Sequence, residues 1–288
     1  MGVILKDCDF MKLTAIPRPW WQRVLLRLAR LTLLVLASIS GLMLLFQHRL
    51  IYHPRPYPPN IPLRAGIERL TFTTAAGKQV CWWVPGRTAG GDTGRVWLCF
   101  SGNASQARMW HDFFDAVPSG MLLIEFPGYG ESAGNPSPAS ILDATNGAVE
   151  ALRQRLGTLP KLGVLGHSLG CAAALQFAAQ QAQAGTPVER MVLIAPFTRL
   201  IDMAQRVVGW PFCHLLLHRY NNQRTLATIF AQGSPQIDVF HGVDDALIPV
   251  SMSRELKAEF PLIRLHEIVG ADHNGVLGEV APMIKDLL

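Results

Sequence analysis

Leu162-Gly163-Val164-Leu165-Gly166-His167-Ser168-Leu169-Gly170-Cys171-Ala172-Ala173-Ala174-Leu175 decides the architecture of this 288-residue chain. A short apolar run breaks into a Gly-x-Ser-x-Gly turn and then into a strong helix former that continues through Ala179. This spacing predicts a buried strand, a sharp turn carrying Ser168, and a helix whose N-terminus faces the serine oxygen. Glycines flank the serine because the turn demands strained backbone angles and close packing that neighbouring side chains would obstruct.

Outward from that turn, short apolar strands alternate with helical stretches, the pattern of a mostly parallel sheet with helices on both faces. Strands are predicted over residues 69–73, 79–84, 96–100, 121–126, 161–166, 191–194, 237–240 and 264–269. The first two, joined by Ala75-Ala76-Gly77-Lys78, are expected to form an antiparallel hairpin at the sheet edge. Helices are predicted over 139–156, 168–183, 252–259 and 280–288. Residues 197–235 exceed a simple connection; their mix of apolar side chains with Arg206, Arg219 and Arg224 predicts a small helical lid over Ser168. His214 and His218, at i and i+4 in this insert, lack a carboxylate companion and are taken as an ordinary helix face rather than a metal site.

A nucleophilic serine needs a base, and the base needs an orienting acid. His241-Gly242-Val243-Asp244-Asp245 follows the seventh strand and Gly270-Ala271-Asp272-His273-Asn274 follows the eighth. Acid and imidazole therefore fall in loops at the same sheet edge as Ser168, in the chain order Ser, Asp, His. His273 is the expected base; Asp244 and Asp245 are not separable on their own chemistry. Two backbone N–H groups are expected to receive a developing oxyanion: that of Leu169, at the helix N-terminus, and that of Asn103, in the loop Phe100-Ser101-Gly102-Asn103-Ala104-Ser105 where Gly102 permits close approach.

Composition adds location. Hydrophobic residues make up 49% of the chain and charged ones 16%, and part of that excess is local: Leu31 to Phe46 holds no charge. With Arg30 snorkelling, residues 28–47 reach the length of a short membrane span. Residues 1–50 carry seven Lys or Arg (Lys6, Lys12, Arg18, Arg23, Arg27, Arg30, Arg49) against Asp7 and Asp9, a net of +5 that equals the charge of the whole chain. The basic character thus belongs to the anchor and not to a nucleic-acid-binding face. Six of those cations precede the apolar run, which predicts a cytoplasmic segment 1–27 and a catalytic domain beyond the membrane, in a periplasm or lumen. Trp20-Trp21 and Phe46 with Tyr52 are expected at the two interfaces. A cleavable signal peptide cut at Ser38-Ile39-Ser40 is the competing reading, but it would leave Leu42–Phe46 exposed. Residues 48–65, with five prolines between Tyr52 and Pro62, read as a stiff spacer lifting the domain at 66–288 off the bilayer. Five cysteines without CxxC spacing imply neither a disulfide framework nor a zinc site, and Cys81, Cys99 and Cys171 read as core residues.

From about Leu50 onward the chain resembles the single-pass, membrane-anchored α/β-hydrolases of the serine aminopeptidase-like branch, which includes depalmitoylating relatives. The resemblance rests on Leu50-Ile51-Tyr52-His53-Pro54, Gly102-Asn103-Ala104, Phe126-Pro127-Gly128-Tyr129-Gly130-Glu131-Ser132-Ala133-Gly134, Gly166–Gly170 and the acid and histidine loops. It implies an α/β-hydrolase fold, an eight-stranded sheet with a transmembrane helix and lid. The family's HGxxDxxxP pattern places the orienting acid at Asp245. It implies hydrolysis of an acyl ester, thioester or amide without metal or organic cofactor, on a small-molecule or lipid-like substrate. Membrane lipids would meet the N-terminal helix, and nucleic acid is not an expected partner. An aminopeptidase-like peptidase of the same fold and a silent membrane-bound binding module are the rivals. The family usually carries histidine where this chain has Ser101, and glycine where it has Cys171.

Overall fold

A computed structural model describes residues 19–58, 65–86, 94–113, 117–285 and 287–288. Most of the basic N-terminal segment, Cys8 and the end of the proline-rich stretch lie outside the described residues. The chain divides into two compact units, with the boundary between Leu45 and Phe46.

Helix α1 (Trp20–Ile51) is long and apolar enough to cross a membrane, with a mean hydropathy of 2.1 over its best window. At about 1.5 Å per residue its 32 residues exceed the hydrocarbon thickness. Trp20, Leu33, Leu34 and Leu45 are all exposed, so no protein core accounts for their apolarity.

The second unit is built on one eight-stranded sheet: β1 (Glu68–Thr74), β2 (Gly77–Val84), β3 (Arg95–Phe100), β4 (Gly120–Ile124), β5 (Lys161–His167), β6 (Arg190–Ile194), β7 (Gln236–Gly242) and β8 (Arg264–Ile268). Every expected strand is present, most of them a residue or two longer than the apolar run alone. The order is β1-β2-β4-β3-β5-β6-β7-β8; β1, β2 and β4 pair antiparallel, and β3 to β8 run parallel. The β1–β2 hairpin is tighter than expected, because Thr74 pairs Gly77 and the positive φ of 102° at Gly77 closes a two-residue turn.

Both faces of the sheet's centre are buried, which is why β3, β4, β5 and β6 are mostly apolar, whereas the edge strands β1 and β8 alternate with exposed polar residues. Along β3, Val96, Leu98 and Phe100 enter one core with α2 (Pro138–Leu156) and α3 (Leu169–Gln183); Trp97 and Cys99 enter the other with Trp110 and α7 (Gly275–Lys285). Helix α7 starts five residues before its expected onset, because Asp272 Oδ1 accepts the Asn274 and Gly275 amides and caps it.

Between β6 and β7 lie α4 (Leu200–Val208), a 3-10 turn (Phe212–Leu215) and α5 (Asn222–Phe230). The expected lid is thereby shortened: α5 buries Leu226 and Ile229 in the core with α3 and is part of the sandwich. Only α4 and the turn stand out from it, with Val207, Trp210 and Leu217 exposed. His214 lies in the 3-10 turn and His218 beyond it, its ring against Tyr52, so the two do not share an α-helical face.

The proline-rich stretch also differs from a stand-off spacer over its described part. Tyr52, expected at a membrane interface, is 1% exposed and packs in the domain core. Gly130 N–H donates to Arg55 O at 3.0 Å, and the Tyr57 hydroxyl donates to the buried Glu125 carboxylate. Aromatic burial and these bonds draw residues 52–57 onto the domain surface. Helix α6 (Val250–Glu259) completes the fold beside β7 and β8.

Candidate active site

β3 connects to β4 on one side while β5 returns on its other side, so β3 and β5 form the topological switch point of the sheet. Loops leaving the carboxyl ends of two such strands diverge and open a crevice. Phe100 and Gly166 are register partners at that edge, which puts Ser101–Ser105 beside Ser168.

Ser168 has φ 53° and ψ −120°, a region that L residues rarely occupy. The turn is held by its neighbours: Ser168 N–H donates to Ile194 O at 2.8 Å, and Cys171 N–H to Ser168 O at 3.0 Å. A Cβ on Gly166 would lie 2.7 Å from Cys171 Cα, and one on Gly170 would overlap the Phe100 and Ser101 carbonyls. Glycine at both positions lets helix α3 begin directly against β3 and β5. Cys171 is fully buried behind the turn, its thiol donating to Gly166 O and Ile194 O at 3.2 Å, and burial pushes its pKa up. It is a core residue, as its apolar surroundings predict.

His273 and Asp245 meet Ser168. His273 Nε2 is 3.1 Å from Ser168 Oγ, and His273 Nδ1 is 2.7 Å from Asp245 Oδ2. With an ionised acid the Nδ1 proton points to Asp245, leaving the Nε2 lone pair for the serine hydroxyl. Asp245 Oδ1 accepts the amides of Leu247 and Ile248 at 2.9 and 2.8 Å. Burial alone would raise the Asp245 pKa; hydrogen bonds from His241, His273 and the Ile248 amide outweigh it and hold the carboxyl well below the ordinary range. Asp244 is exposed, so the geometry distinguishes the two aspartates that spacing left open.

Gly102 comes close to the turn: a Cβ there would lie 3.5 Å from Ser168 Cβ and 2.7 Å from His167 Nδ1. Among the described residues neither the Leu169 nor the Asn103 N–H has an acceptor, although Leu169 is itself buried. Two free amides beside a serine hydroxyl suit a developing negative charge on oxygen.

Three supporting side chains escaped the sequence reading. His241, fully buried, donates from Nε2 to Ile248 O at 2.7 Å with Asp245 Oδ2 at 3.4 Å, while its Nδ1 accepts from Ser253 Oγ at 2.6 Å. His167 donates from Nε2 to His273 O at 3.3 Å and lies against the His273 ring, centroids 5.2 Å apart. Burial first, then the His273 ring, lowers the His167 pKa to about 4. The Tyr129 hydroxyl donates to Asn103 Oδ1 at 2.7 Å. Their only sequence signal was membership in the motifs that also carry the serine, the acid and the Pro-Gly-Tyr-Gly turn.

Residues 83–268 match the alpha/beta hydrolase family. An uncharacterized Mycobacterium tuberculosis protein, Rv2307c, is 29% identical over 236 residues, covering 79% of this chain and 80% of that protein. The zebrafish (Danio rerio) lysophosphatidylserine lipase ABHD12 is 29% identical over 100 residues, 35% of this chain and 25% of that lipase. Among solved structures, the Pyrococcus furiosus esterase Pf2001 superposes with a TM-score of 0.62 at 16% identity, covering 82% of this chain and 94% of that one. The doubly flanked sheet, its strand order and the family match over residues 83–268 agree: the chain belongs to the alpha/beta hydrolase family.

Proposed function

We propose that this hydrolase is a membrane-anchored serine enzyme that cleaves an acyl ester or thioester of a lipophilic substrate through an acyl-enzyme. The observation that carries the reading is the unbroken hydrogen-bond path Asp245–His273–Ser168, at 2.7 and 3.1 Å, ending on a strained serine. His273 takes the Ser168 proton as Oγ attacks the carbonyl carbon, and Asp245 stabilises the imidazolium that forms. The carbonyl oxygen becomes an oxyanion held by the Leu169 and Asn103 amides. Collapse expels the alcohol or thiol, which takes the proton from His273. Water then attacks the acyl-enzyme, with His273 again as base, releasing the acid and restoring Ser168.

A lipid-like substrate is supported by the apolar helix α1, the exposed Val207, Trp210 and Leu217, and the similarity to the lysophosphatidylserine lipase ABHD12. The charge bias around α1 supports an extracytoplasmic catalytic domain. A fluorophosphonate probe tests the serine chemistry on the full chain: wild type is labelled and Ser168→Ala is not. Absence of wild-type labelling, or persistence of it in Ser168→Ala, sinks the reading. A chain-length series of acyl esters beside an acyl thioester and an aminoacyl amide then reads the substrate class.

A further inference from the structure

Leu50-Ile51-Tyr52-His53-Pro54 and Gly102-Asn103-Ala104 are separate motifs with no shared role in the sequence, yet they bond to one another. The Asn103 side chain is the hub. Its Nδ2 donates to Ile51 O, the last carbonyl of α1, at 2.7 Å. Its Oδ1 accepts from His53 N–H at 2.9 Å, from its neighbour Ala104 N–H at 3.0 Å, and from the Tyr129 hydroxyl at 2.7 Å. His53 N–H also reaches the Tyr129 oxygen at 3.1 Å. Ala104, held in the left-handed region at φ 58°, completes the turn.

A second clamp follows a few residues on. Gln106 Nε2 donates to Pro56 O, and Arg108 N–H donates to the Tyr57 hydroxyl at 3.0 Å. That hydroxyl donates to Glu125, whose other oxygen accepts Ala107 N–H at 3.3 Å. The whole loop from Asn103 to Arg108 is thus laced to residues 51–57.

We infer that residues 51–57 form a positioning strap for the active site: through the Asn103 side chain they fix the direction in which the Asn103 N–H points. This deepens the proposed function, since it rests on that amide holding the oxyanion. A loop with free N–H groups has no reason to present one of them at a stated angle, and stabilisation of an oxyanion depends on that angle. The Asn103 side chain is bonded at both its nitrogen and its oxygen, so rotation of the residue is restricted before substrate arrives. Ile51 and His53 contribute only main-chain atoms, which leaves the strap indifferent to their side chains.

The test is a kinetic cycle on the full-length protein in detergent micelles, with a p-nitrophenyl acyl ester as substrate. Asn103→Ala keeps the amide and removes the hub; kcat is expected to fall about 10- to 100-fold with KM within about twofold. His53→Pro deletes the N–H that serves both Asn103 Oδ1 and the Tyr129 oxygen, and Tyr129→Phe only the hydroxyl; each is expected to lower kcat about three- to tenfold. In an Asn103→Ala background those two changes lower kcat no further, because their effect passes through a side chain that is gone. If the factors multiply, or appear in KM alone, or are absent, the strap proposal is overturned. Tyr129→Phe carries the same cycle should His53→Pro fail to fold. Wild type that is labelled by fluorophosphonate yet shows multiplying factors overturns the strap alone; wild type that is not labelled overturns the strap and the serine reading together.

Discussion

His241 Nε2 stands 3.4 Å from Asp245 Oδ2 and 2.7 Å from the Ile248 carbonyl oxygen, with both side chains sealed from solvent. The carbonyl can only accept, so that nitrogen carries the proton and the Asp245 oxygen gains a second N–H donor beside His273. The acid is therefore wrapped on both oxygens, whereas its neighbour Asp244 faces water.

Substituting the two aspartates separately should give unequal results. Asp245→Asn leaves the shape but lets His273 adopt the wrong tautomer, and kcat for ester hydrolysis is expected to drop about 10⁴-fold. Asp244→Asn should stay within about twofold. Equal losses would mean that the acid is misassigned.

Stability should depend on pH through His167. Its folded pKa of about 4 lies below the ordinary histidine value of about 6.5, so the unfolded chain takes up a proton first as pH falls. The stabilisation is complete above pH 6.5 and is lost as pH falls from there through about 4, by about 3 kcal/mol. Asp245, also depressed, adds a further loss below about pH 4. Thermal unfolding from pH 4.5 to 8 should show a flatter profile in His167→Gln; an unchanged slope would assign the dependence to other groups.

Gly170→Ala should be among the most damaging small substitutions. The added carbon meets the Phe100 and Ser101 carbonyls, which are backbone and cannot swing aside. A loss of about 1–3 kcal/mol is expected from the forced separation of α3 from β3, with lower activity. Chemical denaturation and probe labelling read the two effects. A methyl at Gly157, which meets nothing within 4 Å but has φ 79°, is a control for backbone strain without the clash.

Topology has a direct readout. Cys81, Cys99, Cys171 and Cys213 are all buried, so Thr158→Cys in a Cys8→Ser background places a single reactive thiol on an exposed surface. A membrane-impermeant maleimide applied to intact cells with an opened outer barrier should label it. Labelling only after membrane lysis would place the domain in the cytoplasm.

Much of this was legible in the chain because local signals and burial coincide. Residues 162–175 announce strand, turn and helix by composition alone, and β3 to β6 are mostly apolar because both faces of the sheet's centre are covered. The loops bearing Asp245 and His273 followed from chain order. What escaped is long-range. Nothing near Tyr52 says that it enters a core with residues from 168 positions later, or that Asn103 bonds to Ile51 and Tyr129. Nor does the 197–235 stretch disclose that α5 packs on α3, since the amphipathic pattern of a lid helix and of a sandwich helix is the same.

An enzyme held to a membrane by a loose tether can be shed by a protease and continue to work in solution. Here the residues just past the helix are woven into the hydrolase itself, with Tyr52 buried and Pro56 and Tyr57 bonded to the loop beside the serine. The end of helix α1 is consequently part of the hydrolase unit. A cut made before Phe46 would release a domain that keeps every described bond of residues 51–57, whereas a cut after Tyr57 would leave the catalytic chain without them. If the strap acts as inferred, a shortened chain keeps its activity only when it carries this short piece of the helix end with it.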